Sequence, residues 1–388
     1  MVDLGYHGSA SMHLVDITMF YAAEGGGVST YLNAKARWLA RRSRIGHTIV
    51  SPNVRSGGRA PALREIPAIG FPGIHGYRMP LTVAAPARIL RTLQPDLIEV
   101  GDAGHCAWAA LRVKRELGIP AVAFYHSDLP RLMANRFGAL AMRGSRAYLA
   151  QLYREFDMVM APSRLMVQQL AEMGVAGAIH QPLGIDVDVF RPQRRINTLR
   201  KHLQLPPGTR LLVYAGRFTA EKKLDVLIEA VRILGRPYHL VLVGGGAALP
   251  RFSHITHIPF RRDQRMLARL LASCDVLVHP GDCETFGLIA LEAMACGLPV
   301  VATGGGVAEL VDEQTGLLVR PDSAASLAEG IAAIFQRDLA MLGANARRKA
   351  QDHHDWNRIM PQLLNRYGEL LASRQRAEFD AERICATD

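Results

Sequence analysis

The chain has no C-x-x-C pair. Its five cysteines, Cys106, Cys274, Cys283, Cys296 and Cys385, are scattered and odd in number, which argues against a disulfide framework or a zinc site and leaves them as reduced packing residues. It lacks any run of the roughly 18 apolar residues that a membrane-spanning helix needs. Met1–Ser11 has neither a basic n-region nor an apolar core, so a cytoplasmic chain is expected. Zinc-finger spacings and an RNP-like aromatic motif are missing too, and nucleic acid is not an expected partner.

What is present is ordinary for a packed globular protein: 388 residues, 49% hydrophobic and 21% charged, enough for two or three domains. The net charge of +11 is uneven. Residues 1–183 hold 20 Lys+Arg against 12 Asp+Glu, net +8, and the remainder 26 against 23, net +3. Such a bias suits an anionic small molecule, an anionic lipid surface or nucleic acid, and composition does not choose among them.

Short apolar runs bounded by turn residues alternate with longer helical patterns, the sign of repeated strand-helix-strand units around parallel sheets. In the first half the expected strands are 13–18, 48–51, 97–100, 121–125, 158–161 and 178–180. In the second they are 210–215, 239–243, 276–279, 299–302 and 316–319. The fold class is α/β, with two Rossmann-like, doubly wound halves facing across a cleft. The expected domains are 1–183, 184–360, and a helical segment 361–388 across the joint. Gln181–Pro192 has the Pro and Gly of a hinge. Ligands of open parallel sheets bind beyond the carboxyl ends of the strands, so chemistry is sought there.

After the first strand, Gly25-Gly26-Gly27 leads into a helix, and such glycines let backbone amides approach an anion. A dinucleotide fingerprint is excluded: the G-x-G-x-x-G spacing ends in Thr30, and the second strand ends Ser51-Pro52-Asn53 with no acid for a ribose. His126 and Asp128 follow an apolar strand, where a histidine serves either structure or function. Arg217 and Lys222 lie between a strand and a helix and could together neutralise a diphosphate, or form a solvated cluster. His279–Thr303 places Glu284 in a loop, Thr285–Leu288 at a helix start and Glu292 inside the helix. Spacing alone carries no weight, since Glu221 and Glu229 are also eight apart; only Glu284 stands in a strand-to-helix loop beside a glycine.

From Arg131 to Arg154 five arginines, including Arg136, Arg143 and Arg146, alternate with apolar residues and no acid. The stretch reads either as a surface for an anionic bilayer or as a helix with one solvated and one core face. Lys35, Arg37, Arg41, Arg42 and Arg44 read as a second basic cluster.

Together the Gly25–Gly27 loop, His126, G-R-F-T-A-E-K-K, P-L-G-I-D-V-D-V-F-R-P and E-T-F-G-L-I-A-L-E-A-M-A-C-G-L-P-V-V-A-T resemble the retaining GT-B glycosyltransferases of family 4, the group that includes phosphatidylinositol mannosyltransferases. The resemblance implies that Gly26, Gly27, Arg217 and Lys222 bind the donor diphosphate, with Thr285 and the amides of Phe286, Gly287 and Leu288 nearby. It further implies that Glu284 contacts the transferred hexose, Glu292 the ribose, and His126 the sugar near its reacting carbon. Two stretches depart from the family pattern: Lys223 stands where glycine is frequent, and 254–262 lacks the usual glycine. The implied reaction moves a hexose from a UDP- or GDP-sugar to a lipid or glycan acceptor, with same-face attack and retained anomeric configuration. A covalent Glu284 adduct is the other scheme and needs a second carboxyl about 5 Å away. No metal and no cofactor is expected, because two cations already serve the leaving group. Rival readings are a soluble sugar or sugar-phosphate transferase, with the arginines serving an acidic acceptor, and a non-catalytic sugar-nucleotide sensor.

Overall fold

The computed structural model describes residues 12–22, 25–54, 56, 61–70, 77–247, 252–259 and 263–385, with side chains described to residue 377. The chain divides into two compact units. One comprises the chain up to Pro162, Met166–Gln181 and everything from Trp356; the other comprises Ser163–Leu165 and Pro182–Asp355.

The strands of the first unit are β1 (His13–Ile17), β2 (Gly46–Ser51), β3 (Ala62–Glu65), β4 (Ala68–Gly70), β5 (Arg78–Pro80), β6 (Leu97–Val100), β7 (Ala121–Phe124), β8 (Met158–Ala161) and β9 (Ile179–His180). Seven of them form a parallel sheet in the order β3-β2-β1-β6-β7-β8-β9, and β4 pairs antiparallel with β5. Every residue of β6 and β7 is buried, as expected of strands covered on both faces. The direction of winding reverses between the neighbours β1 and β6, the place where a doubly wound sheet opens a ligand crevice.

In the second unit, β10 (Arg210–Phe218), β11 (Tyr238–Gly246), β12 (Ile255–Pro259), β13 (Val276–His279), β14 (Val300–Ala302) and β15 (Gly316–Leu318) form a parallel sheet in the order β12-β11-β10-β13-β14-β15. Its reversal lies between β10 and β13. These two share only the pairs Leu212↔Val276 and Val213↔Leu277. Beyond them β10 continues along β11 to Phe218, so the strand ends part where a ligand would enter.

The structure corrects several expectations. β10 runs three residues past Ala215, and Arg217 projects from the strand itself rather than from a turn after it. β3, β4, β5 and β12 are additional strands. β3 and β12 are sheet edges, half-exposed and carrying Arg64, Glu65, His257 and Pro259, so they lack the apolar run that marks a central strand. The 131–154 stretch is two helices, Leu129–Phe137 and Ala139–Tyr153, broken at Gly138 with φ 83°, a left-handed region that suits glycine.

Lys35 is no member of a surface basic cluster. It is fully buried on the helix Gly27–Arg42, where its ammonium meets Asp16 at 2.7 Å, Glu99 at 3.1 Å and the Tyr367 hydroxyl at 3.2 Å. Its three protons thus face three oxygens. Asp16 also binds His47, and Glu99 accepts from Tyr31 at 2.9 Å and from Tyr367. Burial pushes the Glu99 carboxyl up and Lys35 only partly offsets it; at Asp16, Lys35 and His47 outweigh burial and bring the carboxyl down to about 2. Tyr367 belongs to the helix Trp356–Cys385, which also bonds through Arg366 to His180 O at 3.0 Å and through Arg374 to Asp157 at 3.2 Å and Gly118 O at 2.9 Å.

Candidate active site

In the second unit, polar groups gather where β10 and β13 part. The Tyr214 hydroxyl donates to Arg217 O at 3.1 Å and steadies the strand end. The Arg217 guanidinium is exposed and has no hydrogen-bond or ion-pair partner among the described residues. Lys222 closes the short 3-10 turn Ala220–Lys222, and its ammonium meets Glu284 Oε1. His279, the last residue of β13, places its Nε2 3.2 Å from the same oxygen. Burial would raise the Glu284 carboxyl, but Lys222 and His279 hold it well below the usual carboxylate range. Glu284 Oε2 has no partner among the described residues.

Lys223 has φ 50°, which explains why glycine is at ease in this position, and its side chain pairs with Asp282 and Asp322, each at 2.7 Å.

Past Glu284 the chain enters the helix Leu288–Ala295. Gly287 has φ 99°, and a Cβ there would lie 2.4 Å from Val307 Cγ2, so this turn requires glycine. The amides of Phe286, Gly287 and Leu288 have no acceptor among the described residues, which suits them to an anion. Glu292 is buried, with no hydrogen-bond partner for its carboxyl among the described residues, and burial pushes it up to about 8.

In the first unit, Gly26 caps the helix Gly27–Arg42 without a side-chain bond, and the amides of Gly26 and Gly27 have no acceptor among the described residues. Gly25 is obligatory, since a Cβ would meet Ser29 Oγ at 2.0 Å, while the space around Gly26 is open. The His126 ring stacks on Phe124 at 4.2 Å and touches Tyr31 at 5.3 Å between centroids. Burial pushes its imidazole down to about 3, so it is neutral near pH 7. A Cβ on Gly101, just past β6, would meet Thr18 at 3.1 Å and His126 at 3.4 Å. The ends of β1, β6 and β7 therefore converge on the imidazole. Asp128 accepts from Arg131 N at 3.1 Å as a helix cap.

Arg136 lies 5.4 Å over the Phe137 ring, and Arg146 reaches Glu172 O at 3.5 Å. Phe137 and Leu140 flank the break at Gly138 with 61% and 81% exposure.

Three features of the second unit escaped the sequence reading. One is His279, whose signal is a polar residue ending a wholly apolar strand. Another is Tyr214. The third is Gly244–Gly246, the end of β11 that runs beside Gly216–Phe218 in register.

A cation and amides without partners among the described residues, at the reversal point of a doubly wound sheet and with a second such sheet in the same chain, define the class: an α/β enzyme for phosphorylated ligands. Comparison with known proteins narrows it. Residues 25–189 match the model of Glycosyltransferase Family 4, and residues 209–337 match that of Glycosyl transferases group 1. The chain is 30% identical over 389 residues to the GDP-mannose-dependent alpha-(1-6)-phosphatidylinositol dimannoside mannosyltransferase of Mycobacterium tuberculosis, covering 93% of this chain and 97% of that one. It is 28% identical over 357 residues to a GDP-mannose-dependent alpha-mannosyltransferase of the same species, covering 86% and 91%. Among solved structures, the sucrose-phosphate synthase of Thermosynechococcus elongatus superposes with a TM-score of 0.79 at 24% identity, over 93% of this chain and 100% of that one. The chain belongs to the family 4 glycosyltransferases of GT-B fold, and is a nucleotide-sugar-dependent, retaining hexosyltransferase.

Proposed function

We propose that the chain transfers a hexose, with mannose from GDP-mannose as the first donor to test, to a hydroxyl of a lipid-linked acceptor of the cell envelope while resting peripherally on the inner membrane face. The observation that carries the donor half is the group at the parting of β10 and β13: Lys222 and Glu284 in contact, with Arg217 and three amides that have no partner among the described residues. On this reading Arg217, Lys222 and the amides of Phe286, Gly287 and Leu288 hold the diphosphate as its charge grows in the transition state. Glu284 takes hydroxyls of the hexose, and buried Glu292 takes those of the ribose. A leaving-group phosphate oxygen accepts the acceptor's proton on the face from which the diphosphate departs. Gly26, Gly27 and the neutral imidazole of His126 are the first unit's share, beside the sugar and the acceptor.

The acceptor half draws support from the name of the first mannosyltransferase above, which acts on a phosphatidylinositol dimannoside, and from the surface around Gly138. There Phe137 and Leu140 stand exposed, with the Arg136 guanidinium over the Phe137 ring, and an exposed apolar pair on an arginine-rich segment suits an anionic bilayer at about 1 kcal/mol per surface cation. Among the described residues no helix is long and apolar enough to cross a membrane.

The test incubates the protein with GDP-mannose, UDP-glucose or ADP-glucose and vesicles bearing phosphatidylinositol or its mannosides. Sugar incorporation into lipid from GDP-mannose is expected, together with co-sedimentation on anionic but not neutral vesicles at low salt. Transfer only to water-soluble sugars would replace the lipid acceptor by a soluble one, and tight donor binding without any transfer would favour a sensor.

A further inference from the structure

We infer that His279 is a positioning residue for the transfer: through Nε2 it pins Oε1 of Glu284, so that Oε2 stays turned toward the hexose when the diphosphate draws Lys222 away. The inference rests on the donor site proposed above. His279 is 1% exposed. Its Nδ1 lies 3.0 Å from Gly281 O and its Nε2 3.2 Å from Glu284 Oε1. Both ring nitrogens thus face oxygens that only accept, the Gly281 carbonyl and the Glu284 carboxylate, whose Oε1 the Lys222 ammonium also meets. The ring is held at both nitrogens, and its contact through Nε2 fixes Oε1.

The remaining surroundings do not compete for that ring. Tyr214 on β10 lies 6.3 Å away between ring centroids, and its own hydroxyl is bound to Arg217 O. A Cβ on Gly281 would come within 3.1 Å of Glu221 O and 3.4 Å of Lys222 Cα, which fixes this loop against the turn that carries Lys222. The Glu221 carboxyl accepts from Thr219 Oγ1 at 2.6 Å.

The consequence appears on binding. Lys222 and His279 both meet one oxygen of Glu284. A diphosphate competes for Lys222, and without His279 the half-buried carboxylate would lose its counter-ion at the moment it must hold the sugar; it would then swing after Lys222 toward the phosphates. With His279 in place Oε1 stays anchored and Oε2 is free to accept from a hexose hydroxyl. His279 touches neither diphosphate nor sugar in this account.

The experiment compares H279F, H279Q, E284Q and H279F/E284Q for kcat, donor KM and thermal midpoint, with GDP and UDP as calorimetric probes of diphosphate affinity. For H279F, kcat is expected to fall about 10- to 100-fold while probe affinity stays within about threefold, the mark of an interaction used in the transition state rather than in binding. H279Q, which can still donate to Oε1, should recover part of that loss. In the E284Q background H279F should change kcat by less than about twofold, because the group it positions is gone. If H279F does not fold, H279Q carries the test, with a loss of at least about threefold in kcat at unchanged probe affinity.

Unchanged kcat in the folded position-279 variant, equal losses of kcat and probe affinity, or a full additional loss in the E284Q background would each overturn the inference. Full activity in E284Q would overturn the role of Glu284 as well, whereas an inactive E284Q beside a fully active H279F would remove the inference alone.

Discussion

Lys35, Asp16 and Glu99 of the first unit lie wholly out of solvent, whereas Lys222 and Glu284 of the second keep 17% and 21% of their side chains exposed. Both groups join a lysine to carboxylates, but they differ in what is left unspent. Each proton of the Lys35 ammonium has its own oxygen, contributed by β1, β6 and the helix Trp356–Cys385. This buried network spends its ammonium and carboxyls on one another, and it fastens elements distant in sequence. In the second unit Glu284 Oε2, the Arg217 guanidinium and the amides of Phe286, Gly287 and Leu288 remain open among the described residues. Charge that fastens is satisfied within the protein; charge that binds is left incomplete and close to water.

Exchanging the roles of the two lysines is the sharpest way to break this contrast. Lys35→Met leaves two buried carboxyls without their cation and should destabilise the protein by about 3–5 kcal/mol, read from the midpoint of urea unfolding; a loss below about 1 kcal/mol would mean the network is not a fastener.

Lys222→Ala should do the reverse, lowering kcat/KM by about 10²–10³ at little cost in stability, since a cation facing developing charge is worth that much in a partly desolvated site. A variant that loses stability but keeps its turnover would assign Lys222 to the fold.

A smaller effect concerns Glu292, whose carboxyl burial raises to about 8. The unfolded chain ionises this group near the ordinary glutamate value, while the folded chain keeps it neutral. Its stabilising contribution is therefore complete below the unfolded pKa and is lost as pH rises toward 8. Ribose hydroxyls favour the ionised carboxylate, so nucleotide binding at pH 7 should release up to about one proton. Calorimetry in buffers of different ionisation heat measures this release. Glu292→Gln should abolish it and flatten the pH dependence of stability, and an unchanged proton count would place the ribose elsewhere.

The fold was legible wherever strands are buried on both faces. Leu97–Val100, Met158–Ala161 and Val276–His279 have the bounds that their apolar runs predict, as does the helix Leu224–Leu234. β3 and β12 were not legible, because an edge strand need not be apolar and its pairing is decided by a neighbour far along the chain. The loops carrying Lys222 and Glu284 could be singled out by their place between strand and helix. Their contact could not, since 62 residues separate them.

Composition, alternating apolar runs and turn residues were sufficient to specify a doubly wound α/β chain, because burial on both faces of a parallel sheet leaves a continuous local imprint. The local sequence also marked which loops stand at strand ends, since glycine and charge cluster there. Only the tertiary structure decided what each charge does. Lys35 reads as a surface cation until β1 and β6 lie side by side and enclose it, and His279 reads as the end of a strand until the next loop folds back and sets Glu284 against its ring. Such assignments depend on distances between residues remote in sequence, and no local pattern encodes them.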